Sequence, residues 1–199
     1  MAERAGMAVA VLAAGRGSRF GGNKLDAPCA GRAVGRWVLD AVAEAGLPPG
    51  LLVLPPREVT FARTAPDWQQ RVNPRAEEGL GTSLALAARW ALKERAAALL
   101  VLLGDMPLVD PGYLRRLSAA PPPAATVLSS EVAGVPALLS PDLLEQAALL
   151  GGDRGAGPLL ANAKGLTVLA PPPDMLLDVD RVDDLARASD RLLARRSER

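Results

Sequence analysis

Three cations, Arg16, Arg19 and Lys24, stand in residues 12–25 among the glycines Gly15, Gly17, Gly21 and Gly22. Glycine lets backbone N–H groups approach an anion closely, and the cations add charge-assisted hydrogen bonds. This density of positive charge suits a triphosphate better than a single phosphate or a carboxylate. The apolar run 7–14 leads straight into the loop. The cations therefore belong just beyond the carboxyl end of a first strand, where open α/β sheets bind ligands.

Carboxylates answer them. Asp105 follows the apolar run 99–103 and Gly104, and Pro107 stops an immediate helix. Beside a polyphosphate it is a natural Mg2+ ligand, because that ion takes one or two carboxylates plus phosphate oxygens. Alone it reads equally as a turn-former. Asp178 and Asp180 precede the last helix. Two positions apart, they share a face of an extended chain, and either could join Asp105. Asp180 could also serve, alone or together with that role, as the cap of a helix starting near Arg181.

Familiar phosphate loops do not fit. The order Gly-Lys-Ser/Thr of a P-loop is missing. The dinucleotide fingerprint fits at Gly15 and Gly17 but meets Phe20 at its third glycine, and the second strand runs into Pro55, Pro56 and Arg57. A solvated basic turn and a nicotinamide-binding oxidoreductase stay open beside the triphosphate reading. Histidine is absent, which excludes Ser–His, Cys–His and histidine–metal chemistry.

Composition sets the frame. The 199 residues are 49% hydrophobic, enough for one domain with a sizeable core. A net charge of +1 gives no field that would draw nucleic acid or a membrane surface. No apolar stretch reaches the ~20 residues needed to cross a bilayer. Arg4 and the run 7–14 mimic a short signal peptide but read better as a buried parallel strand. Cys29 is the lone cysteine, which excludes an internal disulfide and points to a reducing cytoplasm.

The elements that must carry these residues alternate. Runs 8–13, 51–54, 99–103, 124–128, 136–139, 167–169 and 175–177 read as strands, several apolar throughout, as expected where both sheet faces are covered. Val34, Trp37, Val38, Ala41, Val42 and Ala45 recur at helical spacing before Gly46-Leu47-Pro48. Thr82 or Ser83 could cap a second helix reaching about Glu94, and 158–163 reads as a short helix. Val182, Leu185, Ala186, Leu192 and Leu193 give the last helix its buried stripe, with 195–199 expected as a frayed tail. The expectation is a three-layer α/β/α domain around a mainly parallel, Rossmann-like sheet. One domain, 1–199, would hold a nucleotide-binding half at about 1–110, an acceptor-binding half at about 111–180 and a C-terminal helix at about 181–196.

Leu12-Ala-Ala-Gly-Arg-Gly-Ser-Arg followed by Lys24 resembles the signature loop of the nucleotidyltransferase fold, and within it the MobA-like branch that includes the molybdenum cofactor cytidylyltransferases. Gly79-Leu-Gly-Thr-Ser-Leu84 with Asn73 upstream resembles that family's base-recognition turn. Leu103-Gly-Asp-Met-Pro-Leu108 resembles its metal-binding turn, and Gly152-Asp-Arg-Gly-Ala156 and Leu177-Asp-Val-Asp180 also have counterparts in the same order. The resemblance implies a nucleotidyltransferase fold and Mg2+-dependent transfer of CMP from CTP to the phosphate of a molybdopterin-type acceptor, releasing pyrophosphate. Leu-Ala-Ala-Gly accompanies CTP in that branch, so Ala14 favours CTP over GTP.

The same resemblance implies Arg16, Lys24 and Asp105 as catalytic residues and Asp105 and Asp180 as metal ligands. Leu12, Ala13, Ala14, Gly15, Arg16, Lys24, Asn73, Gly79, Gly81, Thr82 and Ser83 would bind the nucleotide. A molybdoenzyme client, or its chaperone, is the implied protein partner. Cytidylyltransferases carry a histidine and an arginine where this chain has Val135 and Gly157. A guanylyltransferase, another phosphate acceptor and a non-catalytic cofactor chaperone remain as alternatives.

Overall fold

The computed structural model describes residues 5–15, 17, 20–129 and 132–197. Its strands are β1 (Ala5–Leu12), β2 (Pro28–Cys29), β3 (Arg32–Ala33), β4 (Leu51–Leu54), β5 (Gln69–Val72), β6 (Ala96–Leu103), β7 (Ala124–Ser129), β8 (Val132–Leu139) and β9 (Thr167–Leu169). The helices are α1 (Val34–Glu44), α2 (Leu80–Lys93), α3 (Pro111–Ala119), α4 (Pro141–Ala147), α5 (Gly157–Ala161) and α6 (Val182–Ser197).

Among the described residues, seven strands form one sheet in the order β5-β4-β1-β6-β8-β7-β9, and β2 and β3 make a separate hairpin. The pairs β5/β4, β4/β1, β1/β6 and β7/β9 are parallel, while β8 runs antiparallel between β6 and β7. Strand side chains alternate between two faces, and both are covered. Val9, Val11, Leu52 and Leu100 pack with Val38 of α1, Leu114 of α3 and Leu192 of α6. Ala10, Val53 and Val101 pack with Leu84 and Ala88 of α2 and Leu144 of α4. The three-layer, mostly parallel architecture expected from the apolar runs is the one observed.

Parallel alignment of β5, β4, β1 and β6 puts their carboxyl ends on one rim. Ladder bonds continue past the strand ends: Ala13 N–H donates to the Val53 carbonyl at 2.8 Å, Gly104 N–H to that of Leu12 at 2.9 Å and Asn73 N–H to that of Leu54 at 2.7 Å. The loops bearing the candidate residues thus start from fixed points.

Three expectations need correction. Residues 175–177 form a turn, because Pro171–173 supply no N–H donors and Asp174 has φ 61°. Met175 and Leu177 N–H groups close that turn on the Pro172 and Asp174 carbonyls. Helix α2 begins at Leu80 with Gly79 as its N-cap rather than Thr82 or Ser83. The last helix reaches Ser197, and Arg195 is not frayed: its Nη1 donates to the Leu108 carbonyl at 3.0 Å.

Candidate active site

Lys24, in the helical turn Lys24–Asp26 after the glycine loop, is 5% exposed. Its Nζ donates to Asp105 Oδ2 at 2.6 Å and to Asp180 Oδ1 at 2.8 Å. The lysine stem packs against Gly17, where a Cβ would lie 3.7 Å from Lys24 Cγ. Burial alone would lower the lysine pKa. The two carboxylates outweigh it and hold the ammonium above its usual value. Lys24 is a fixed cation.

Asp105 stands two residues beyond β6, and its main chain anchors the other carboxylate segment: Val179 N–H donates to the Asp105 carbonyl at 2.9 Å. Asp178 has one side in solvent, yet burial of the rest and the charges of Asp105 and Asp180 push it up to about 7 against the pull of Lys24. Asp184, at the start of α6, reaches back. Its Oδ2 accepts the N–H groups of Arg181 at 2.8 Å and Asp180 at 3.1 Å, while Oδ1 takes Arg187 at 2.5 Å. The Arg187 contact, followed by those N–H groups, holds Asp184 below the usual carboxylate range. Asp184 orients the backbone of Asp180.

The donor set suits a hard divalent cation. Two carboxylate oxygens already converge on one positive atom at hydrogen-bonding distance, and oxygen ligands of this kind are those such ions prefer. Among the described residues, no group of three or more His, Cys, Asp or Glu side chains could hold an ion. Two carboxylates completed by phosphate oxygens match that donor count.

Asn73, Thr82 and Ser83 also come together, but in a different manner. All three are buried. Asn73 Nδ2 donates to Thr82 Oγ1 and Ser83 Oγ, each at 2.9 Å, and Oδ1 accepts the Arg75 N–H at 3.0 Å. The Thr82 hydroxyl finds the Arg75 and Gly79 carbonyls at 2.9 and 2.8 Å. At Gly79, with φ 124°, a Cβ would sit 2.2 Å from Asp153 Oδ1; at Gly81 it would sit 2.8 Å from the Gly152 carbonyl oxygen, which accepts the Gly81 N–H at 2.9 Å. The close approach these glycines permit is taken by the chain's own 151–154 loop. These five residues hold the turn that begins α2.

Between the turn and the glycine loop lies a groove of about 680 Å3, lined by Ala14, Gly15, Pro56, Arg57 and Glu77 among others. Arg57 Nη2 donates to the Gly15 carbonyl at 3.3 Å, linking the ends of β1 and β4. Neither Arg57 nor Glu77 belongs to a motif that marks it as a ligand-binding residue in the sequence. Their signal was position, just past strand ends on the ligand-binding rim. Leu12, Ala13 and Ala14 lie buried at that rim and Gly15 is exposed. Arg16 and Arg19 lie outside the described residues. A separate cavity of about 210 Å3 is lined by Arg32, Trp37, Asp40 and Arg195, and none of the candidate carboxylates borders it.

Residues 9–168 match the MobA-like NTP transferase domain. The chain belongs to that family. Bifunctional protein GlmU of Azorhizobium caulinodans is 39% identical over 127 residues, covering 60% of this chain but only 27% of that protein. The GlmU of Geobacter metallireducens is 33% identical over 132 residues, 63% of this chain and 28% of its own length. The chain thus matches little more than a quarter of either relative. Among solved structures, Rv0371c from Mycobacterium tuberculosis H37Rv is 28% identical with a TM-score of 0.77, covering 96% of this chain and 100% of that one. A nucleotidyl transferase from Methanothermobacter thermautotroptrophicus, Mth528, is 26% identical with a TM-score of 0.79, covering 94% and 98%. Rv0371c has also been solved in complex with manganese; that structure is 26% identical with a TM-score of 0.70, covering 92% of this chain and 98% of that one.

Proposed function

We propose that this family member is a cytidylyltransferase that moves CMP from CTP to the phosphate of a molybdopterin-type cofactor and releases pyrophosphate. The observation that carries the reading is the convergence of Lys24, Asp105 and Asp180, from three separate parts of the chain, at 2.6 and 2.8 Å. The acceptor phosphate attacks the α-phosphorus, the new P–O bond forms, and the bond to the β-phosphate oxygen breaks. A phosphate monoester loses its second proton near pH ~6, so the nucleophile needs no base. A chain without histidine fits that demand.

Alignment and charge neutralisation remain for the protein to supply. Lys24 faces the α-phosphate, where negative charge builds up. Arg16 holds the β- and γ-phosphates and steadies the leaving pyrophosphate. Asp105 and Asp180 hold a divalent ion, with Mg2+ as the expected species; manganese in the Rv0371c complex supports divalent-metal use. When bound, that ion neutralises phosphate charge. Leu12–14 backbone and the groove bordered by Arg57 and Glu77 receive the base, above the 73–83 turn. The Glu77 carboxylate is an acceptor suited to the exocyclic amino group of cytosine, and Ala14 favours CTP over GTP by its likeness to the cytidylyltransferase loop.

Residues 1–110 form the nucleotide half and 111–180 the acceptor half, within one domain. The buried free thiol of Cys29 suits a reducing cytoplasm, and among the described residues no helix is long and apolar enough to cross a membrane. A molybdoenzyme or its chaperone would take the product. Incubating the protein with Mg2+, molybdenum cofactor and either CTP or GTP, while following pyrophosphate, tests the reading. Acceptor-dependent release with CTP is expected. Release with GTP alone would reassign the nucleotide, and no release with either would overturn the activity.

A further inference from the structure

Lys24 Nζ stands between Asp105 Oδ2 and Asp180 Oδ1, the oxygens to which the metal is assigned above. We propose that Lys24 is the resident cation of the nucleotide-free site, so that the site takes a metal–polyphosphate complex and not the free ion. The inference rests on reading Asp105 and Asp180 as metal ligands, and it adds an order to their use.

Lys24 and its two partners together carry one net negative charge. A free divalent ion between the same oxygens would press against an ammonium that is 5% exposed, with little water to screen the repulsion. Gly17 of the glycine loop lies against its stem, where a Cβ would stand 3.7 Å from Lys24 Cγ. A polyphosphate arriving at that loop changes the balance. It offers Lys24 a new anionic partner and brings oxygens that complete the metal's shell. Lys24 releases the carboxylates when the phosphate accepts it, and both events belong to one binding step.

Manganese binding to nucleotide-free protein, followed by EPR, tests the idea. Lys24→Met and Lys24→Gln remove the charge while keeping most of the stem. Each is expected to bind Mn2+ at least ~10-fold tighter than wild type, within the usual range for coupled sites. Equal or weaker binding in both overturns the proposal. Asp105→Asn added to Lys24→Met then separates the lysine's role from the underlying reading. Loss of the gained site supports both; a gained site that survives puts the ion elsewhere and overturns the metal assignment itself. Wild type gives a readout that needs no folded variant, the 13Cε resonance of Lys24. Stoichiometric Mn2+ alone should leave its intensity unchanged, whereas Mn2+ with a non-hydrolysable CTP analogue should broaden it away. Broadening by Mn2+ alone would overturn the inference.

Discussion

Asn73, Thr82 and Ser83 bury their polar atoms against one another and against nearby backbone, leaving little for a ligand to take. Lys24, Asp105 and Asp180 are also bonded together, but the cluster opens outward: side-chain exposure is 6% at Lys24, 21% at Asp105 and 44% at Asp180. One group is neutral and closed. The other is charged, graded from buried to open, and ringed by a further acid, Asp178. The contrast separates polar residues that build a turn from polar residues kept for exchange with a ligand, although both lie on the same rim of the sheet.

Substitution should divide the two clusters by what is lost. Asp105→Asn keeps the volume and an acceptor for Lys24 but removes the charge proposed to hold the metal. Metal-assisted charge stabilisation is worth several kcal/mol, so pyrophosphate release should fall by roughly 10^3-fold or more, with a melting temperature near that of wild type. An active Asp105→Asn enzyme would break the distinction. Asn73→Ala should behave the opposite way. It strands the buried Asn73-facing sides of Thr82 and Ser83, at a cost of about 1–3 kcal/mol, read as a lower urea midpoint. Activity measured well below that midpoint should change far less than in Asp105→Asn.

Asp178 sharpens the comparison through pH. Its carboxyl is pushed up to about 7 in the fold, against ~3.9 for an unfolded aspartate. The folded state therefore holds this proton more tightly, and the group's contribution is full below pH ~4 and is lost as pH rises through about 7. Asp178→Asn removes that loss. In EDTA, the variant should be more stable than wild type at pH 8, with the gain shrinking steadily towards pH 4 in parallel thermal melts. The smallest expected effect is at Cys29, fully buried with its thiol pushed up to about 11 by that burial. Iodoacetamide at pH 8 should leave it unmodified in native protein and alkylate it in urea, as mass spectrometry would show.

The sheet was legible where strands are covered on both faces. Leu51–Leu54 and the end of β6 are apolar throughout because each side meets a helix layer. Strand β5 was not legible: Gln69–Val72 is an exposed edge and carries the polar residues of one. The turn at 175–177 looked like a strand because Met175 is apolar for burial in the core rather than for pairing. Lys24 and Asp180 meet across 156 positions; no spacing rule spans that, and the resemblance of the surrounding motifs implied one shared site without implying their ion pair. Gly79 and Gly81 were expected to bind the nucleotide, but the neighbour pressed against them comes from 151–154, a tertiary contact that local sequence does not encode. The grip of Asp184 on the Asp180 N–H joins residues of a turn and a helix and needed coordinates.

A crystal structure with Mn2+ and a non-hydrolysable CTP analogue, using the anomalous signal to locate the ion, tests the central claim most directly. The expected result is a peak ~2.1 Å from oxygens of Asp105 and Asp180, with Lys24 Nζ moved onto the phosphates. An ordered nucleotide with the ion held elsewhere, and Lys24 still bridging the two carboxylates, would contradict it.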